Sequence, residues 1–215
     1  MERVNIFIDG SNFYHLILKK VGVKEPNFDF EKFVKFLSGD RQISEKGKYF
    51  YTGTVREKDK RHEASRAISN QNILFSKLIS MGGWNIRTSK LRTRLERVKI
   101  DDRVENFKEL SRLGIDEIVY QRSREKGIDV IIAVDIIDGA LNNKYDTAIL
   151  VSSDTDLVPA IDFVRNNYNK RIEYVGFSMP KTEEFEETRP IKRLIYTTDV
   201  QRVLVVSDIK NFVLD

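Results

Sequence analysis

Four aspartates sit where apolar runs end or begin. Asp9 closes "VNIFID", Asp154 and Asp156 follow "AILVSS", and Asp129 stands at the head of "VIIAVDIIDGAL". In an open parallel sheet, ligands bind outside the carboxyl ends of the strands, so acids in these positions can converge on one edge. Carboxylates brought together repel and raise one another's pKa unless a cation lies between them. Hard oxygen donors of this kind suit Mg²⁺ or Mn²⁺, which retain waters and pair with phosphate oxygens. Such an ion can polarise a phosphodiester and lower the pKa of a bound water, and a pair about 4 Å apart clamps attacking and leaving oxygens.

Each acid also has a local reading. Asp9 with Gly10 makes a turn, Asp129 caps its helix, and "SSDTD" caps the helix after it. For one acid alone the local reading is favoured; for all of them, at equivalent ends of adjoining elements, a site is favoured. Asn12, one helical turn past Asp9, suits an N-cap or a group that orients an acid or phosphate. Ser11, Ser152 and Ser153 suit phosphate contacts, supporting hydrogen bonds or plain turns. Asp135 lies six residues beyond Asp129, on a different face of an ideal helix, which argues against direct ligation. In an apolar helix it needs a partner, and Lys126 or the basic insertion can supply one. Asp138 marks the turn of the helix toward solvent, while His15 and His62 read as ordinary helix residues rather than general bases.

The elements that must carry these residues alternate. "VNIFID" reads as a buried strand, "GSN" as a tight turn, and "FYHLILKK" as a helix. Phe30, Phe33, Val34 and Leu37 mark a second helix ended by Gly39, and residues 48–53 a short strand. Arg61 to Met81 reads as an amphipathic helix and "WNIRT" as a third strand. The span 91–125 reads as a charged insertion, with Val104, Phe107, Leu110 and Leu113 hinting at a helix. Asp129 takes the N-cap of an apolar helix, "TAILVSS" is a central strand, and "DLVPAIDFVRNN" is a helix that tolerates Pro159 in its first turn. "RIEYVGF" is a further strand, and "LIY" and "VLVV" are β-like runs of the tail. Alternation of this kind predicts a three-layer α/β/α sandwich with a mostly parallel central sheet. Residues 1–178 form the principal domain and 179–215 an extension packed on it.

With 215 residues and a 40% hydrophobic fraction, the chain can bury a core without staples. It has no cysteine, which removes disulfides, zinc fingers and thiol nucleophiles, and its two histidines are well separated. No stretch approaches the roughly 18 apolar residues of a membrane span, so a cytoplasmic protein is the expectation. The net charge is +4 but uneven: Arg87, Lys90, Arg92, Arg94, Arg97 and Lys99 face only Glu96, whereas "TEEFEE" at 182–187 is acidic. A basic stretch beside an acidic site suits a polyanion held near a cation.

Three stretches together resemble one family. "FIDGSNFY", "KGIDVIIAVD" and "YDTAILVSSDTDLVPAI" occur in the order of the NYN domain, the PIN-like group that includes LabA-type proteins. The resemblance implies a PIN-like, Rossmann-like sandwich and a Mg²⁺- or Mn²⁺-dependent ribonuclease acting as an endonuclease. It makes Asp9, Asp129, Asp154 and Asp156 the catalytic, metal-binding acids, with Asn12, Ser153 and Asp135 in support. Single-stranded RNA would be held by Arg87, Lys90, Arg92, Arg94 and Lys126. Trp84 is better read as core. The chain departs from the family pattern at Ser153, where glycine is usual, and in the length of 91–125 and of the tail. Two other functions compete: an RNA-binding module with an inactive pocket, and a nucleotide-sugar transferase using "SDTD", which would not demand Asp9 and Asp129.

Overall fold

A computed structural model describes residues 1–54, 62–90, 92–124 and 127–214. The first strand, β1 (Arg3–Asp9), is followed at once by α1 (Gly10–Phe13), which continues as a π-helical turn over Tyr14–Leu18. Next come α2 (Phe30–Ser38), β2 (Gln42–Thr54), α3 (His62–Met81) and β3 (Trp84–Lys90). β4 (Arg92–Lys99), α4 (Phe107–Arg112) and β5 (Glu117–Arg124) precede α5 (Ile128–Leu141) and β6 (Thr147–Val151). The chain ends with α6 (Val158–Tyr168), β7 (Arg171–Ser178), α7 (Lys192–Thr197), β8 (Val200–Val205) and α8 (Val206–Lys210).

Six strands form one parallel sheet in the order β3-β2-β1-β6-β7-β8. The chain builds outward from β1 in one direction, then crosses to β6 and builds outward in the other. The boundary between β1 and β6 is therefore the topological switch point of a doubly wound sheet, where a crevice opens at the carboxyl ends. Every residue of β6 is buried, as expected of a central strand covered on both faces. On one side Ile6, Ile8, Ile149 and Val151 meet a cluster of phenylalanines from α1 and α2. On the other, Phe7, Ala148 and Leu150 meet Ile132 and Ile136 of α5 and Ile161 of α6. The result is a three-layer α/β/α sandwich.

Several elements differ from the sequence expectation. The strand expected over 48–53 runs from Gln42 to Thr54. "LIY" lies in α7 rather than a strand, because a short apolar run after a proline fits either state by periodicity. The first three residues of "VLVV" end the edge strand β8 and Val206 opens α8; the buried Glu173 of β7 pairs with Arg202 of β8 and, at 2.9 Å, with Arg41 before β2. The charged span is an antiparallel arm of β4 and β5 carrying α4, a helix with no buried residue. Trp84 packs edge-on against Phe30 at 6.2 Å, and Lys48 lies 5.4 Å from its ring, in keeping with a packing role.

The turn from β1 into α1 leaves no room at Gly10. A Cβ there would strike the Phe50 ring and come within 2.8 Å of the Tyr51 carbonyl oxygen. Gly10→Ala should cost about 1–3 kcal/mol as overpacking. At about 2–4 °C per kcal/mol for a chain of this size, thermal unfolding should show a Tm roughly 2–12 °C lower; an unchanged Tm would mean that Phe50 yields freely.

Candidate metal centre

Asp9 is the last residue of β1 and is buried. Its Oδ1 accepts the Asn12 backbone N–H at 3.0 Å, capping α1, and its Oδ2 accepts the Ser152 hydroxyl at 3.2 Å. The same Ser152 oxygen accepts the Asp154 N–H at 3.1 Å, so one buried hydroxyl couples the ends of β1 and β6. Asn12 Oδ1 accepts the Ser153 N–H at 3.0 Å, a second tie across the switch point. Asp154 then caps a 3₁₀ turn over Thr155–Leu157 by accepting the Asp156 N–H at 2.9 Å. The tight turn holds both carboxylates on the same side of the loop.

Asp129 reaches this edge from the other direction. It does not cap α5: Gly127 does, in the left-handed region at φ 86°, and Asp129 falls within the first turn. Glycine adopts that conformation at no steric cost, so the helix starts where it brings Asp129 to the crevice. Carboxylate oxygens of Asp129, Asp154 and Asp156 all lie within 4.8 Å of one another. Asp129 and Asp154 are half-buried and Asp156 is exposed. Asp9 stands beside this trio in a cleft of about 410 Å³, lined also by Ser11, Asn12, His15, Leu16 and Gly127. A larger depression of about 720 Å³ follows one face of α3, but Lys77 is the single charged side chain lining it and no acid is present.

The donor set fits a hard divalent cation. All three converging donors are carboxylates, and among the described residues no basic side chain forms an ion pair with any of them. Oxygens bound to one Mg²⁺ at about 2.1 Å lie at most about 4.2 Å apart, a span that small side-chain adjustments reach from here. His15 and Leu16 come to the cleft wall through the π-helical turn, a feature often found at functional sites. Burial, and then the charge of Lys19, lower the His15 pKa. Sequence periodicity gives no sign of this wall.

Asp135 does not join the trio. It accepts the Tyr51 hydroxyl at 3.0 Å and pairs with Arg87 at 3.2 Å, clamping α5 onto β2 and β3. Burial and the Asp135 charge push the Tyr51 pKa upward. Asp135 therefore positions the helix that carries Asp129, and the cation it pairs with is Arg87 of β3 rather than a residue of the insertion at 91–125, because β3 runs alongside α5. Arg87 is committed to that pair although half-exposed; Lys90 and Arg94 are exposed. Arg92 is the first residue of β4, and Lys126 lies outside the described residues. Asp138 is half-exposed and bound by Lys144 at 2.6 Å.

The sequence profile of the NYN domain matches residues 3–191. A crystal structure of a protein of unknown function from Vibrio parahaemolyticus has a similar fold, with a TM-score of 0.52 at 18% identity over 94% of this chain and 93% of the other. No curated protein matches the chain. Among the described residues no helix is long and apolar enough to cross a membrane.

Mn²⁺ or Mg²⁺ should raise the Tm by binding the folded chain. At 100 times its dissociation constant the ion adds about 2.7 kcal/mol, or roughly 5–11 °C. Asp154→Asn should stay folded and lose most of this rise, and an equal rise in both proteins would move the ion elsewhere.

Proposed function

This chain belongs to the NYN domain family, and on that premise we propose that it is a metal-dependent ribonuclease that hydrolyses RNA phosphodiester bonds as an endonuclease. The observation that carries the reading is the convergence of Asp129, Asp154 and Asp156 within 4.8 Å at the switch point of the sheet. Acids packed so closely, with no basic partner among the described residues, favour a bound cation. Asp129, Asp154 and Asp156 would hold Mg²⁺ or Mn²⁺, with Asp9 completing the acidic wall of the cleft. When bound, the ion supplies Lewis-acid polarisation of the phosphodiester and a water of lowered pKa.

The protein's own contribution is position. Ser152 and Asn12 fix the two strand ends relative to each other, so the acids need only small side-chain adjustments to meet the ion. Asp135 holds α5, and with it Asp129, against the sheet. Lys90 ends β3 at the carboxyl edge of the sheet, where the acids lie, and Arg92 and Arg94 follow it in the chain. These cations suit the phosphates of a single strand, and Lys126 precedes Asp129 by three residues in the sequence. The cleft is open, in keeping with a polymer that enters from the side rather than a small molecule enclosed on all sides.

Purified protein should cleave end-labelled single-stranded RNA with Mn²⁺ or Mg²⁺ and stop in EDTA. Asp154→Asn should lower the rate by at least about 100-fold, the loss of a few kcal/mol of charge stabilisation, while its circular dichroism stays that of the wild type. A folded variant as active as the wild type would overturn the site. Tight RNA binding without cleavage under every metal condition would make the protein an RNA-binding module instead.

A further inference from the structure

The arm carries charge that its own stability does not explain. Its two strands hold Arg92, Arg94, Arg97, Lys99, Arg122 and Arg124 against Glu96 and Glu117, a net +4 equal to that of the whole chain. The antiparallel register sets Arg94 opposite Arg122 and Arg92 opposite Arg124. Like charges directly opposed across strands destabilise a ribbon, and a two-stranded ribbon is marginal in water to begin with. Nearby relief comes from Glu96, which lies 3.6 Å from Arg122 and also accepts the Tyr120 hydroxyl at 2.9 Å. Arg94 and Arg122 are exposed. Both register pairs stand at the root of the arm, and Asp129 follows Arg124 by five residues. Five residues of chain span at most about 18 Å, so the root cannot be far from the acid cluster.

On the other side of the acid cluster the same sheet edge exposes glutamates, among them Glu183 and Glu184. After β7 the chain folds back as a strap in which Met179 and Thr188 exchange backbone hydrogen bonds. Lys20 holds it by donating to the Glu186 carbonyl at 2.5 Å and to Thr188 Oγ1 at 2.6 Å, and Thr188 donates to the carbonyl of Leu16 on the cleft wall at 3.3 Å. Glu186 and Glu187 are paired with Lys181 and Arg189. Glu183 and Glu184, at the tip, are exposed and have no basic partner among the described residues.

We propose that the opposed Arg94 and Arg122 at the arm root grip the phosphate backbone of a single-stranded nucleic acid, while Glu183 and Glu184 repel it from the β7 side. The strand then leaves the acid cluster in one direction only, toward the arm. The identity of the polyanion rests on the ribonuclease proposal. The grip itself is measured without catalysis.

The test is fluorescence anisotropy with a labelled oligouridylate of about 20 nucleotides, in EDTA, over a range of salt. Arg94→Gln with Arg122→Gln should weaken binding and flatten the plot of log affinity against log salt by about 1.4, or about 0.7 for each phosphate no longer neutralised. Glu183→Gln with Glu184→Gln should tighten binding several-fold at low salt. That gain should fade as the Debye length shortens to about 8 Å at physiological ionic strength. A wild-type slope in the arginine variant overturns the grip, and unchanged low-salt binding in the glutamate variant overturns the one-way path. A dimer in light scattering that Leu95→Ser with Val119→Ser dissociates, alongside normal RNA binding by the arginine variant, would assign the arm to a second copy and overturn the proposal. Absence of metal-dependent cleavage by the wild type would count against the ribonuclease reading and leave these binding outcomes separately legible.

Discussion

Mutual repulsion among carboxylates is the constraint around which this fold is arranged. Oxygens from three aspartates within 4.8 Å of one another would drift apart on a compliant surface. Here each is held by an element with little freedom. Asp154 follows a fully buried strand and is bound into a 3₁₀ turn, while Asp129 rides on a helix clamped to the sheet by Asp135, Tyr51 and Arg87. The parallel sheet supplies the rest, because its switch point is where two strand ends diverge and leave a crevice. A cation in that crevice would offset the repulsion that the scaffold otherwise resists alone.

The central part of this arrangement is legible in the sequence because it is encoded by burial. β1 and β6 are covered on both faces, so they read as largely apolar runs, and the acids that end them stand out against that background. The arm is illegible for the converse reason. Arg94, Leu95, Arg97, Val98, Val119 and Tyr120 are all exposed, so neither face of the ribbon imposes an apolar alternation that would betray its strands. The start of α5 is misread for a related reason. Aspartate is a favoured N-cap, which points to Asp129, but the cap is set by the left-handed conformation of Gly127, a backbone property that side-chain patterns do not carry.

Charge adds a direction to a site whose acids alone have none. The acid cluster sits near the middle of the sheet edge, between a cationic arm that begins just past β3 and a strap of exposed glutamates after β7. A polyanion approaching this edge meets attraction on one side and repulsion on the other before it reaches any reacting group, and such fields act over roughly a Debye length. The strap is fastened to the π-helical turn that also forms the cleft wall, so the repulsive element and the wall are parts of one unit.

Ser153 shows how the cluster tolerates a departure from the usual family pattern. Glycine is needed where φ is positive or where a Cβ would collide. Among the described residues the non-glycine positions with positive φ are Asn143 and Asn169, and Ser153 is not one of them. What the site takes from residue 153 is its backbone N–H, donated to Asn12 Oδ1 at 3.0 Å, and a serine supplies that as well as a glycine does. The side chain that matters is one position earlier: Ser152 is buried, and its hydroxyl donates to Asp9 while accepting from the Asp154 N–H. Replacing that hydroxyl would leave a buried carboxylate short of a donor, whereas the serine after it alters no hydrogen bond on which the acids depend.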